Sequence, residues 1–288
     1  MTMPMSDPLR PTERAAAEAW AARVRAGREQ VERLREVPDP SDFYGPMARR
    51  FARDPHRTNE PALDVLRSMT ERDDTWLDIG AGGGRYSLPL ALKVARVHAI
   101  DPSPSMLDVL RGGMSEYGID NIDITASSWP LEGDASRADV ALMAHVGYGV
   151  EAFGAFLDTA DAAVSRRCVV VMRVSDADGS RDALWHEIHG EPRLPYPMLQ
   201  ELLVLLVARG VVPEVTLVDR SAWGSAGREE LLEASRRQLW LRPGSAKDRA
   251  LQELVNTRAT ERNGDWAIDW TPMQDGIVTW ASRGPARS

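Results

Sequence analysis

Between residues 75 and 174 the chain alternates short apolar runs with longer stretches of helical periodicity. Runs of strand length occur at Thr75–Ile79, Arg96–Ile100, Asn121–Thr125, Asp139–Ala144 and Arg167–Val174. Helical patterns fill the gaps at Arg85–Lys93, Ser105–Tyr117 and Ala152–Ser165, whereas Ser127–Ala138 is too short for one. This rhythm predicts parallel strands with helices on both faces, an α/β layout. Upstream, Trp20, Val24, Val31 and Leu34 mark an amphipathic helix over Arg10–Glu36 that ends before Pro38. The proline-rich stretch Val37–Pro61 reads as a connector around a short helix at Met47–Ala52, and Pro61 opens a helix to Met69. Downstream the rhythm changes. Ser175–Pro197 is a polar insertion, Leu199–Arg209 a helix stopped by Gly210, and Val211–Val218 a strand weakened near its start by Pro213. Arg228–Glu261 reads as helix in two pieces broken at Pro243-Gly244, and Gly276–Ala281 as a last strand, the seventh.

Composition narrows the class. Of 288 residues, 43% are hydrophobic and 27% charged, which places the chain among globular proteins and excludes collagen-like or disordered ones. At roughly 150 residues per domain the length suggests about two domains. The last two predicted strands lie far downstream of the first five, so one domain with additions fits better. Lys93 and Lys247 are the only lysines among 35 basic residues, a coding-background signature that selects no function. The net charge of −8 argues against general nucleic-acid binding. Cys168, the single cysteine, sits in the apolar run Cys168-Val169-Val170-Val171-Met172 and reads as a buried hydrophobe. Residues Met1–Arg14 contain no secretory signal and Leu202–Ala208 is too short to span a bilayer, so a cytoplasmic location is expected.

Chemistry concentrates at Trp76-Leu77-Asp78-Ile79-Gly80-Ala81-Gly82-Gly83-Gly84-Arg85-Tyr86, where a strand enters a glycine-rich turn and then a helix. Glycines there permit positive φ and close approach of a ligand, and a helix start offers unpaired N–H groups. A dinucleotide fingerprint, G-x-G-x-x-G, fails at its last position, which falls on Arg85 or Ser87 depending on register. The pattern present is D-x-G-x-G-x-G: Asp78, Gly80, Gly82 and Gly84. The next strand, Val97-His98-Ala99-Ile100-Asp101, ends in an acid, followed by Pro102-Ser103-Pro104-Ser105-Met106-Leu107 with Ser105 as the expected helix cap.

Together these residues resemble class I S-adenosylmethionine-dependent methyltransferases of the small-molecule type. The resemblance covers Thr75–Val174 and implies a three-layer, Rossmann-like fold. Its seven-stranded sheet would be mostly parallel with an antiparallel last strand, with N-terminal helices and a helical insertion added. It implies S-adenosylmethionine as cofactor and S-adenosylhomocysteine as product. In that family the glycine loop (Asp78, Gly80, Ala81, Gly82, Gly84, Arg85) holds the cofactor, and an acid at the position of Asp101 takes both ribose hydroxyls in a fork. Pro102 and Met106 would lie near adenine. The usual adenine-binding acid after the third strand is missing; Ser127, Ser128 and Trp129 stand there instead, with Trp129 either stacking on the base or packing in the core. Tyr44, in an aromatic lead-in, would close on the methionine end, with Arg85 or His56 on its carboxylate.

The reacting methyl of such an enzyme sits near the end of the fourth strand, where His145 and Tyr148 follow Ala144. His145 is a candidate base or a packing residue, and Tyr148 a candidate for orienting the acceptor. The Asn/Asp-Pro-Pro-aromatic signature of amino-methylating relatives is absent. The cluster His186-Glu187-Ile188-His189 lacks the spacing of a zinc helix and reads as cover over a substrate pocket, with no metal expected. Most of Trp223, Trp240, Trp266, Trp270 and Trp280 are expected in the core. The organisation expected is a helical lead-in and cofactor lid over residues 1–72, then a methyltransferase domain over 73–288 with substrate-covering additions at about 175–210 and 220–265. The expected activity is methyl transfer to O, N or C of a small-molecule acceptor, against the alternative of a non-catalytic cofactor sensor or assembly module. No nucleic acid or membrane partner is expected, and a homodimer stays open.

Overall fold

The computed structural model describes residues 11–40, 42–131, 137–175, 179–220, 224–271 and 273–284. Trp223, the first ten residues of the lead-in, and parts of the 127–138 and 175–197 segments lie outside the described residues. The seven strands expected from the sequence form one sheet: β1 Thr75–Ile79, β2 Arg96–Asp101, β3 Ile122–Ala126, β4 Ala138–Ala144, β5 Val164–Arg173, β6 Glu214–Arg220 and β9 Met273–Ala281. Their order is β3-β2-β1-β4-β5-β9-β6. Strands β1 to β5 pair in parallel, and β9 runs antiparallel between β5 and β6. The Rossmann-like expectation, antiparallel last strand included, holds.

Strand periodicity explains why the central strands of this sheet are buried on both sides. Leu77, Ile79, Ala141, Met143, Cys168, Val170, Met172 and Val278 face one core; Trp76, Val97, Val140, Leu142, Val169, Val171 and Ile277 face the other. On the first face pack α1 (Glu13–Leu34), α5 (Phe153–Ala162) and α7 (Leu199–Ala208). On the second pack α2 (Pro61–Ser68), α3 (Ser87–Ala91) and α4 (Pro104–Tyr117). A third cluster joins α6 (Gly179–His189), α8 (Arg228–Gln238) and α9 (Ala246–Arg258) through Trp185, Leu239, Leu251 and Val255.

The lead-in is built into the main core. Trp20 of α1 stacks on Phe153 at 4.5 Å, and its indole N–H donates to the Val150 carbonyl at 2.8 Å. The connector forms a 3-10 helix at Gly45–Phe51, where Arg50 pairs with Glu230 of α8 at 2.6 Å.

Several boundaries shift for local reasons. Ser103, not Ser105, caps α4, its hydroxyl accepting the Met106 N–H at 3.3 Å. The helix expected over Arg85–Lys93 shrinks to Ser87–Ala91 because the glycine turn extends through Tyr86. Strand β6 begins only after Pro213, and α6 occupies part of the polar insertion. The end of the expected Arg228–Glu261 helix becomes a hairpin, β7 Thr260–Arg262 with β8 Asp265–Ala267. Asn263 and Gly264 both take positive φ at its tip, as a tight two-residue hairpin turn demands. Of the four described tryptophans expected in the core, Trp280 is buried. Trp266 instead lies half-buried under the Arg228 guanidinium, and Trp270 donates to the Thr260 hydroxyl at 2.9 Å.

Candidate functional site

The strand order reverses between β1 and β4, and ligands of open α/β sheets bind beyond the carboxyl ends of the strands at such a switch. The chemistry-bearing residues of the sequence converge there. The Gly80 and Ala81 N–H groups both donate to the Ile100 carbonyl, at 2.8 and 3.1 Å, which ties the glycine turn to the end of β2. Gly80, Gly82 and Gly84 all have positive φ. A Cβ on Gly80 would collide with Val146, and one on Gly84 would come within 2.5 Å of Leu110. Glycine is thus required both by conformation and by space.

Asp101 ends β2 with its two oxygens separately anchored. Oδ2 accepts the Gly82 N–H and Oδ1 the Ser103 N–H, both at 2.8 Å. Each oxygen keeps a second lone pair, so the carboxylate is a fixed two-pronged acceptor suited to a vicinal diol. Burial raises its pKa, opposed by the N–H donors of Ser103 and Gly82. Met106 lies over the loop, its methyl 3.6 Å from where a Gly82 Cβ would stand, and Pro102 is exposed beside it. Asp78 turns inward: it is buried and accepts the Ser87 hydroxyl at 2.6 Å. Burial pushes its carboxyl up to about 7. Its evident job is to brace the turn from below.

The lead-in reaches this place through the acid that precedes its aromatic pair, a residue to which the sequence assigned no role of its own. Asp42 accepts both the Ser105 hydroxyl at 2.6 Å and the Ser103 hydroxyl at 2.9 Å, beside Asp101. Tyr44, 42% exposed, follows it and packs edge-on against Phe51. Phe43 contacts Trp240, which couples the lead-in to the α8–α9 connection. His56 lies elsewhere, against Tyr117 at the far end of α4. Arg85 pairs with Glu60 at 2.8 Å. At the end of β3, Ser127 and Ser128 remain near the surface, while the Trp129 indole N–H donates to the Phe156 carbonyl at 3.3 Å, against the first core.

At the end of β4, His145 adopts positive φ and its backbone N–H donates to Val171. Its Nδ1 lies 3.4 Å from the Tyr148 hydroxyl, which itself accepts the Arg173 N–H at 3.0 Å. Burial and the nearby Arg85, Arg220 and Arg173 guanidiniums push His145 down to about 3, so its ring is neutral at physiological pH. Its Nε2 faces Asp275 of β9, a residue the sequence reading did not single out. Asp275 is an acid inside an otherwise buried strand, and that mismatch was its available signal.

The His186–His189 cluster holds the α6 region together instead. Glu187 pairs with Arg258 at 2.6 Å, and His189 lies on Trp185 with Nε2 3.1 Å from the Leu239 carbonyl. No group of three or more metal-ligating side chains occurs among the described residues, and no described helix is long and apolar enough to cross a membrane.

A family model for a methyltransferase domain matches residues 77–176. Among curated proteins, an uncharacterized protein of Haemophilus influenzae is 33% identical over 97 residues, 33% of this chain and 35% of that protein. A tRNA/tmRNA (uracil-C(5))-methyltransferase of Stutzerimonas stutzeri is 29% identical over 107 residues, 37% of this chain and 30% of that one. The chain thus spans about a third of the length of these curated relatives. Among solved structures, the YcgJ protein of Bacillus subtilis is similar with a TM-score of 0.50 at 14% identity, covering 78% of this chain and 99% of that one. Magnesium protoporphyrin IX methyltransferase of Synechocystis PCC 6803, solved with bound SAH, gives 0.50 at 13%, covering 82% and 95%. At these identities the likeness establishes the fold.

Proposed function

We propose that this chain, whose residues 77–176 match a methyltransferase-domain model, transfers a methyl group from S-adenosylmethionine to a small-molecule acceptor. The observation that carries the reading is the anchored Asp101 fork beside a turn with no room for a Cβ at Gly80 or Gly84. Those residues fit the cofactor: Asp101 would hold the ribose diol, Gly80 to Gly84 would let the methionine end pass close to the backbone, and Met106 would line the adenine side. Ser127 and Ser128 stand at the right strand end to meet the adenine edge. Trp129, bonded to α5, would shield that pocket from behind. Tyr44 and Pro102 flank the entrance, and Asp42 would keep the lead-in closed over it.

The sulfonium supplies an already activated methyl group, so alignment of the acceptor is the main task left to the protein. His145 and Tyr148 stand at the end of β4, where that alignment would occur. The roof made by the lead-in, α8 and α9 would exclude water and select the acceptor. A small molecule fits the acidic chain better than a polynucleotide, whose phosphates a net charge of −8 repels. The tRNA-modifying relatives make RNA the competing acceptor. Methyl-labelled S-adenosylmethionine incubated with the protein and fractionated cell extract decides between them. Label is expected in the low-molecular-mass fraction; label in RNA or protein would overturn the acceptor class.

A further inference from the structure

The carboxyl edge of the sheet holds polar groups that cofactor binding leaves unused. Asp275, near the start of β9, is 1% exposed, yet its Oδ1 has no hydrogen-bond partner. Its Oδ2 lies 3.5 Å from His145 Nε2, which also lacks a hydrogen bond. Across the ring, Nδ1 faces the Tyr148 hydroxyl at 3.4 Å. Because that hydroxyl already accepts the Arg173 N–H, its own proton is available to Nδ1. A neutral imidazole that accepts at Nδ1 must carry its proton on Nε2, toward Asp275. The donors therefore line up in one direction, from Tyr148 through His145 to Asp275.

Resting on the methyl-transfer reading, we propose that Asp275 is the terminus of a proton wire, Tyr148–His145–Asp275, that relieves an O–H or N–H acceptor of its proton. As the acceptor lone pair bonds to the methyl carbon, the carbon–sulfur bond breaks and its electron pair stays on sulfur as a neutral thioether. The acceptor proton passes to the Tyr148 oxygen, the phenolic proton to His145 Nδ1, and the Nε2 proton to Asp275 Oδ2. His145 changes tautomer without becoming charged. The sulfonium charge and the carboxylate charge disappear together, so the step balances.

The surroundings suit this division of labour. Arg85 from the glycine turn, Arg173 at the end of β5 and Arg220 at the end of β6 all face His145, and burial with these cations keeps the ring neutral. The same three cations act on Asp275, where burial, reinforced by Glu60, outweighs them and raises its proton affinity. Arg220 Nε stands 3.9 Å from Asp275 Oδ1, and the buried Tyr86 hydroxyl, unpartnered, is within electrostatic reach of Asp275. The Tyr148–His145 contact is long for a hydrogen bond and the His145–Asp275 approach is not yet one; catalytic contacts of this kind often form fully only when the acceptor binds.

Long-range proton–nitrogen NMR on the full chain carrying labelled histidine tests the wire without knowledge of the acceptor, with His145→Gln assigning the signal. The wire requires His145 to be neutral and protonated on Nε2 from pH 6 to 8. A ring protonated on Nδ1, or charged in that range, overturns it. In the labelled extract assay, Asp275→Asn is expected to lower methyl transfer by about 10²-fold or more and to abolish its rise with pH, with S-adenosylhomocysteine affinity within about threefold of wild type by calorimetry. Wild-type transfer with an unchanged pH profile would also overturn the wire. Failure of the wild-type protein to bind S-adenosylhomocysteine would instead reject the methyltransferase reading on which the wire rests.

Discussion

Two acids at the ends of adjacent strands are held in opposite ways by the residues around them. Asp78 and Asp101 are both acids at strand ends, yet one is closed off by Ser87 and the other opens toward the crevice through Gly82 and Ser103. Burial without a counter-cation keeps Asp78 protonated up to about pH 7, whereas an ordinary aspartate ionises near 3.8. Between those values the folded state binds more protons than the unfolded state, so this residue's contribution to stability falls as pH rises through the window. Asp78→Asn removes that titration while keeping an acceptor for Ser87. Urea unfolding at pH 5 and pH 8 is therefore expected to show wild type losing on the order of 1–4 kcal/mol more than the variant across the interval. Equal losses would mean that Asp78 is ionised in the fold.

At the scale of elements, the strands were legible because a sheet covered on both faces writes itself as uninterrupted apolar runs. Strand β1 matches its expected bounds, and the other six strands of the main sheet overlap theirs. What escaped was decided by contacts between distant segments. Ser103 and Ser105 are equivalent caps in sequence, and in the fold Asp42 of the lead-in accepts from both hydroxyls, while only the Ser103 oxygen also accepts the Met106 N–H. The α6 helix sits in a polar stretch whose apolar partners lie in α8 and α9. The β7–β8 hairpin carried a readable turn, Asn263-Gly264, inside what looked like helix. The glycine loop and Asp101 were legible because their chemistry is local to one strand–turn–helix unit. Asp275 was not, because its partners come from β4, β5 and β6. Helix α1 was expected as part of a helical lead-in, and its Trp20 belongs to the main core. Trp20→Ala is expected to cost about 3–5 kcal/mol in denaturant unfolding; a cost below about 1 kcal/mol would show that α1 packs loosely.

Across the whole molecule, one sheet gathers on its carboxyl edge a glycine turn and anchored carboxylate from β1 and β2 and a polar cluster from β4, β5, β6 and β9. The helices α6, α8 and α9 pack into one cluster that is tied to the aromatic lead-in through Phe43–Trp240 and Arg50–Glu230. The central claim is that this edge binds S-adenosylmethionine through Asp101, and isothermal titration of wild type and Asp101→Ala tests it most directly. The account predicts one-to-one binding of S-adenosylmethionine and S-adenosylhomocysteine, none of NAD, and affinity weakened by roughly 10- to 100-fold in the variant through loss of hydrogen bonds to a charged acceptor. Binding of NAD alone, or equal affinity of wild type and variant for S-adenosylmethionine, would contradict it.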